Sequence, residues 1–154
     1  MQFKHAPAAV SAVFDDPNLV SAAGLVPMLR LAQQAGLAEL AQDRLSVPTD
    51  KGANAGAKVS AVVAGMLAGA DSIDDMNLLR HGGMTKLFDR VYAPSTLGSF
   101  LREFRFGHVR QLDAVASPML VNLGSRAPLP EPHDSERVMV DLDDTIIEVH
   151  GYQK

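Results

Sequence analysis

The stretch PSTLGSFLREF, residues 94–104, decides how the middle of this chain folds. Pro94 followed by Ser95 is a helix-start signal, and the large apolar residues after it recur every three or four positions, as on one face of an α-helix. Those apolar residues are Leu97, Phe100, Leu101 and Phe104, and the polar residues predicted to face away from them are Thr96, Ser99, Arg102 and Arg105. We therefore expect an amphipathic helix with one buried face and one face of hydroxyl and guanidinium groups.

Helix signals also dominate the chain on both sides of this stretch. Asp16 and Pro17 predict a helix start, and the apolar pattern that follows from Leu19 continues to Gly36. Further helices are predicted over residues 37–45, 55–69, 72–82 and 107–124, with Ser72 and Asp75 as a capping pair and Pro118 as a kink or break. The sequence thus predicts a mainly α fold, with residues 1–124 forming an N-terminal helical bundle.

Composition limits the classes of protein to consider. The 154 residues are 47% hydrophobic and 21% charged, which is typical of a globular chain, and the absence of cysteine excludes disulfides and thiolate metal sites. The most apolar stretch, residues 59–70, has 12 residues, whereas a membrane-spanning helix needs about 20. We expect a cytoplasmic protein with no membrane partner.

Charge is distributed unevenly along the chain. Residues 80–110 carry six Lys or Arg against two acids, a balance of +4, whereas residues 131–148 carry one Arg against seven acids, a balance of −6. A basic middle favours contact with phosphates, and an acidic end favours cations. Ordinary solvated surface is the alternative for each charge run.

The basic region resembles a helix-turn-helix, because a short helix and a glycine-bearing turn precede the helix at residues 94–104. A bundle helix with a polar outer face explains the same pattern without DNA. On the first interpretation, the residues predicted to contact double-stranded DNA are Arg80, Lys86, Arg90, Thr96, Ser99, Arg102, Arg105 and Arg110.

A second kind of sequence follows a linker rich in proline and polar residues, residues 125–136. In VMVDLDDTIIEVHG, residues 138–151, a β-favouring run ends in Asp141, Asp143 and Asp144. Carboxylates at the end of a buried strand are costly unless a cation or hydrogen-bond donors compensate them. The cluster therefore predicts a metal or catalytic site, and a solvated surface loop is the alternative.

Two enzyme families share this motif. VMVDLDDTI resembles the opening D-x-D-x-T motif of haloacid-dehalogenase-like phosphatases, which implies Asp141 as nucleophile and Asp143 as acid/base, with Mg²⁺ between them. Those enzymes need further motifs over a hundred or more following residues, and ten residues follow Asp144 here.

The second resemblance covers more of the chain. Three blocks in order, residues 54–84, 93–116 and 138–154, resemble the N-terminal third of the group-one DDE transposase family of bacterial insertion sequences. The resemblance implies a helical region that binds terminal inverted repeats, followed by an RNase H-like α/β domain that begins at residues 137–154. It implies Asp143 as the first catalytic carboxylate, and Mg²⁺ or Mn²⁺ held by Asp143 with Asp141. It also implies a bacterial, nucleoid-associated location.

The family resemblance leads to a limited functional expectation. The second Asp and the Glu of the catalytic triad are not among the 154 residues, so we expect this polypeptide alone to bind element ends without cutting DNA. The tightly held metal ions of the complete enzyme are not expected here. Homo-oligomerisation stays open, and a non-catalytic helical module for DNA binding or self-association is the third hypothesis.

Overall fold

The described part of the protein, a computed structural model over residues 16–88 and 90–126, consists of helices and their connections. The α-helices are α1 (Leu25–Gln34), α2 (Leu37–Arg44), α3 (Ala55–Leu67), α4 (Pro94–Arg102) and α5 (Phe106–Gly124), and 3₁₀ helices cover Asp50–Gly52, Asp74–Arg80 and Gly82–Leu87. No strand occurs within these two ranges, which confirms a mainly α fold for them. The strands predicted for residues 137–154, and all but the first two residues of the predicted linker, lie outside the described residues.

The first helix begins later than the sequence predicts. Residues 16–24 form turns, and α1 starts at Leu25. The Asp16 carboxylate accepts a hydrogen bond from the backbone N–H of Asn18 at 2.8 Å, which stabilises a tight turn instead of a helix. The carbonyl of Leu19 accepts from the N–H of Gly83 at 2.8 Å, so this segment is tied to a distant part of the chain.

Gly36 separates α1 from α2, as predicted. Its φ of 81° is in the left-handed region, where glycine carries no steric penalty. The amide of Asn122 on α5 donates to the carbonyl of Ala35 at 3.0 Å, which ties the end of α5 to this corner.

Small residues let α2 and α3 pack closely. A Cβ on Gly56 would lie 2.1 Å from the carbonyl oxygen of Ala38, and the Gly56 N–H donates to the side chain of Gln42 at 3.2 Å. Further along α3, Gly65 leaves room for the Met76 side chain, whose sulfur would be 2.3 Å from an added Cβ. Small residues of α3 therefore permit two close approaches, one to α2 and one to Met76.

Helix α4 buries its apolar face in two separate clusters. Leu97 packs into one that we call the Met76 cluster, with Leu25, Ala64, Met76, Leu79 and Met84. Phe100 packs into a second, the Phe100 cluster, with Leu45, Val47 and Ala55, and Phe104 meets it edge-on with ring centroids 5.1 Å apart. A third cluster of Leu37, Ala41 and Val115 joins α2 to α5.

The capping pair predicted at Ser72 and Asp75 is present, although the helix it precedes is 3₁₀. The Asp75 carboxylate accepts from the hydroxyl of Ser72 at 2.6 Å and from its N–H at 3.0 Å, and the Asp75 N–H donates to the Ser72 hydroxyl at 3.3 Å. The hydrogen bond from the Ser72 side chain is the largest cause of the lowered pKa of Asp75.

Helix α5 continues through Pro118 without the break that the sequence allowed. Proline has no N–H, so the carbonyl of Ala114, four residues earlier, lacks its helical donor. The guanidinium of Arg44 on α2 donates to this carbonyl at 2.7 Å. Arg44 thus supplies the donor that Pro118 cannot, and it joins α2 to α5.

We expect Gly56→Ala to lower the free energy of unfolding by about 1–3 kcal/mol or more, because the new methyl meets backbone that cannot move aside. Gly107→Ala is the matched control: nothing lies within 4 Å of its added Cβ, and alanine favours helix by up to about 1 kcal/mol. Urea unfolding of both variants measures the difference. Equal stability of the two variants would contradict the close α2–α3 contact.

Arg44→Ala should lower the free energy of unfolding by about 0.5–1.5 kcal/mol, because the exposed Ala114 carbonyl loses its donor. In a Pro118→Ala variant, the backbone N–H of residue 118 can donate to the Ala114 carbonyl. Arg44→Ala should therefore lower the free energy of unfolding distinctly less in that variant than in the wild type. A double-mutant cycle in urea measures the coupling. A coupling of zero would show that Arg44 does not compensate for the proline.

Candidate nucleic-acid interface

The eight residues predicted to contact DNA lie on several elements rather than on one helix. Ser99 is half-buried and the other seven are exposed. Those seven are Arg80, Lys86, Arg90, Thr96, Arg102, Arg105 and Arg110. They come from the 3₁₀ helices at residues 74–87, the connection to α4, α4 itself and α5. These residues therefore do not form the face of a single recognition helix.

The helix-turn-helix interpretation needs correction in its geometry. The segment before α4 is a 3₁₀ helix, and residues 88–93 separate it from α4, whereas a helix-turn-helix has a turn of about three or four residues. Helix α4 ends at Arg102, and Arg105 adopts an extended conformation at the start of α5. Arg102 and Arg105 thus belong to different elements, because the chain turns at Glu103 to bring α5 into the core.

Four of the six cationic side chains have neutral partners. Lys86 donates to the amide oxygen of Asn18, Arg80 donates to Asn77 at 3.2 Å, and Arg102 donates to the Ser99 hydroxyl at 3.3 Å. The guanidinium of Arg110 lies over the ring of Phe106 at 5.5 Å. Within residues 16–88 and 90–126, ion pairs of 4.0 Å or less involve Lys51 alone.

The first turn of α4 borders an open cleft that sequence reasoning did not find. The cleft has a volume of about 380 Å³, and its lining residues are Asp50, Lys51, Lys58, Ser95, Thr96 and Ser99. It forms where α4 packs against the 3₁₀ helix at residues 50–52 and against α3. Two ammonium groups and three hydroxyls therefore face one space, with one carboxylate at Asp50.

Lys58 is the unusual member of the cleft. Its residue surface is 5% exposed, and its ammonium donates to the backbone carbonyl of Lys51 at 2.5 Å. The ammonium also lies 5.2 Å from the ring centre of Phe100 and 6.0 Å from that of Tyr92. Burial lowers the pKa of Lys58, and the negative charge of Asp50 opposes that shift in part.

Lys51 stands at the rim of the cleft. Its ammonium lies 3.6 Å from the carboxylate of Glu103 and 3.8 Å from that of Asp50, and the Asp50 side chain is 91% exposed. The pair with Asp50 is exposed and contributes little to stability, so the lysine can leave that partner at small cost. The rim of the cleft is therefore adaptable, whereas Lys58 at its base is fixed.

The first turn of α4 has no side-chain cap. Its N-cap residue is Ala93 and its first residue is Pro94, where the sequence predicted Ser95 as part of the start signal. The N–H groups of Thr96 and Leu97 both donate to the carbonyl of Ala93, at 3.0 and 3.1 Å. The N–H of Ser95 has no acceptor among the described residues, and the hydroxyls of Ser95 and Thr96 are not used as caps.

The predicted catalytic and metal residues, Asp143 and Asp141, lie outside the described residues. Within residues 16–88 and 90–126, no group of three or more His, Asp or Glu side chains is arranged to hold a metal ion. The Mg²⁺ or Mn²⁺ expectation therefore depends on the acidic segment alone.

Comparison with known proteins adds no relative. No family model matches the chain, and neither a curated protein nor a solved structure matches it. Among the described helices, none has the length and the apolar character needed to cross a bilayer.

One feature of the sequence was available as a signal for Lys58 but was not used to predict a site. In AGAKVSAVVAGMLAG, residues 55–69, Lys58 is the one charged residue of a helix that is otherwise apolar or small. A lysine in such a helix is either at a solvated edge or buried for a reason. The sequence does not distinguish the two cases, because the burial of Lys58 depends on Phe100 and Tyr92, which are more than thirty residues away.

We expect the stability of the wild type, relative to a Lys58→Met variant, to rise as the pH increases from 7 to 10. The pKa of Lys58 is lowered from its ordinary 10.5 in the folded chain, so between the two values the unfolded chain binds more protons. The charged groups that face it are Asp50 and Lys51, with Tyr92 as the neighbouring titratable ring.

Urea unfolding of both proteins in phosphate-free buffers measures this difference at each pH. The methionine keeps the length and the packing of the lysine stem without its charge. Parallel stability curves over this pH range would mean that the ammonium of Lys58 is as well solvated in the folded chain as in the unfolded one.

Proposed function

We propose that the helical region, residues 1–124, binds double-stranded DNA at the terminal inverted repeats of an insertion sequence, as the end-binding part of a DDE-type transposase. The observation that carries the proposal is the set of six exposed cationic side chains within residues 80–110, four of which have neutral partners. Among the described residues these cations form no ion pair with a carboxylate, and guanidinium and ammonium groups of this kind are suited to phosphate oxygens.

The arrangement favours phosphate contacts over base contacts. The N-terminal end of α4, which would face base edges if α4 were a recognition helix, borders the cleft beside residues 50–52. The exposed guanidiniums of Arg102 and Arg105 lie beyond that end, at the junction of α4 and α5. We therefore assign them to the DNA backbone, where they set the position and the salt dependence of binding.

For the acidic segment, we propose that Asp143, with Asp141, begins the metal site of an RNase H-like catalytic domain. Carboxylates separated by one residue are a donor set that Mg²⁺ accepts, and Mg²⁺ usually takes one or two carboxylates together with substrate phosphates. When bound, the metal would activate the attacking oxygen and stabilise the leaving oxygen of a DNA strand. The chain's own part is to supply carboxylates that orient it.

The Arg102→Ala/Arg105→Ala variant should bind DNA more weakly and with a smaller salt dependence. Each lost phosphate contact lowers the slope of log affinity against log salt by about 0.9, so two lost contacts lower it by about 1.8. Fluorescence anisotropy between about 50 and 200 mM salt measures the slope. The probe is a duplex with the inverted-repeat DNA that flanks the coding sequence, compared with a shuffled duplex of equal length.

Arg30→Ala is the matched control for this experiment. Arg30 is an exposed arginine on α1, outside the basic region, so its loss changes the net charge without removing the proposed contacts. An unchanged slope in the double variant would place the DNA surface elsewhere. Absence of DNA binding by the wild type, together with Asp141-dependent hydrolysis of a simple phosphate ester, would favour the phosphatase family instead.

A further inference from the structure

The cleft beside α4 contains a buried lysine, Lys58, whose positive charge is offset only in part by Asp50. The Lys58 ammonium has three N–H groups, and one of them donates to the carbonyl of Lys51. Among the described residues, the other two have no acceptor, and no carboxylate lies within 4.0 Å of the ammonium. Asp50 lines the same cleft but forms no ion pair with Lys58, so its charge offsets the cost of burying the ammonium only in part, and an anion that enters the cleft would offset more of it.

The walls of the cleft supply the other groups that an oxyanion needs. The hydroxyls of Ser95, Thr96 and Ser99 line it, and each can donate one hydrogen bond. The N–H of Ser95 has no acceptor among the described residues and belongs to the first turn of a nine-residue helix, where the partial positive charge of the helix lies. Donors and positive charge therefore converge on the same space.

We propose that this cleft binds one phosphate group, with Lys58 as the fixed cation at its base and the first turn of α4 as the source of neutral donors. The inference goes beyond DNA binding by the exposed arginines, because that surface can attract a duplex with the cleft empty. The proposal assigns a function to Lys58, for which the sequence predicted only a place in a helix.

A phosphate group suits this cleft better than a carboxylate does. The cleft offers several hydrogen-bond donors: three hydroxyls, one backbone N–H and one ammonium. A small carboxylate cannot accept hydrogen bonds from all of them at once, whereas a phosphate presents oxygens in several directions. Lys51 at the rim can turn from Asp50 toward the ligand, since the pair it leaves is exposed. The volume of about 380 Å³ admits a phosphate that is attached to a larger molecule.

The phosphate has two potential sources, a free phosphate ester and the backbone of bound DNA. The cleft is open and its rim carries Ser99, whose hydroxyl also accepts from Arg102 of the proposed DNA surface. A backbone phosphate near Arg102 therefore lies close to the cleft entrance. The experiment below separates the two sources.

The test is a titration of the ¹⁵N-labelled full chain with inorganic phosphate at constant ionic strength and pH 7, followed by backbone amide shifts. Saturable shifts at Ser95, Thr96 and Ser99 are expected for the wild type. Lys58→Met should weaken binding by about tenfold or more, as for the loss of a charged hydrogen-bond donor. Arg30→Met, which removes an exposed cation outside both the cleft and the proposed DNA surface, should leave the affinity unchanged.

A second variant keeps the proposal testable if Lys58→Met changes the fold. Thr96→Val removes one hydroxyl from an exposed position, and it should weaken phosphate binding while the remaining amide spectrum stays that of the wild type. No saturable shift in the wild type, or equal phosphate affinity in the wild type and Lys58→Met, would overturn the proposal.

The same variants in the DNA titration identify the source of the phosphate. If Lys58→Met weakens both phosphate and duplex binding, the cleft takes a backbone phosphate; if it weakens phosphate binding alone, the ligand is a free phosphate ester. If the wild type binds phosphate but not DNA, the proposed phosphate site stands and the proposed function is wrong. If the wild type binds DNA but not phosphate, the proposed function stands and the phosphate site is wrong.

Discussion

The burial of α4 between two apolar clusters is the contact on which the rest of the described structure depends. Leu97 enters the Met76 cluster and Phe100 enters the Phe100 cluster, and both side chains are almost fully buried. Because one short helix contributes to both clusters, its rotation and its position along its axis are fixed together. The first turn of α4, with its hydroxyls and its uncapped backbone, is consequently held against α3 and residues 50–52.

That placement explains why an ammonium is buried beside an aromatic ring. Phe100 fills the space next to the stem of Lys58, and the lysine head reaches the carbonyl of Lys51 and the cleft. A methionine at this position would satisfy the packing without the cost of desolvating a charge. A site that costs stability in the empty chain is typical of residues kept for binding, and it is the physical link between the core of this fold and its proposed ligand.

Two kinds of positive charge therefore serve different roles in the proposed function. The exposed arginines of residues 80–110 act over a distance, are screened by salt and tolerate many orientations of a duplex. Lys58 acts at contact distance, because its side chain is mostly buried and its ammonium is held at the base of the cleft. A duplex would be attracted by the first group and fixed in position by the second.

The sequence by itself determined the class of fold, most helices and the exposed polar face of α4, because these depend on local periodicity and on turn residues such as Gly36. It misplaced the start of α1 and the end of the helix at residues 94–104, because those boundaries depend on contacts between distant segments, such as the hydrogen bond from Gly83 to Leu19. The role of Arg44 opposite Pro118 also required the packing of α2 on α5. Only the tertiary structure decided that Lys58 is buried and that it faces the first turn of α4. The burial of a side chain depends on which distant segments the fold packs against it, and neither the residue type nor its neighbours in the chain determine that.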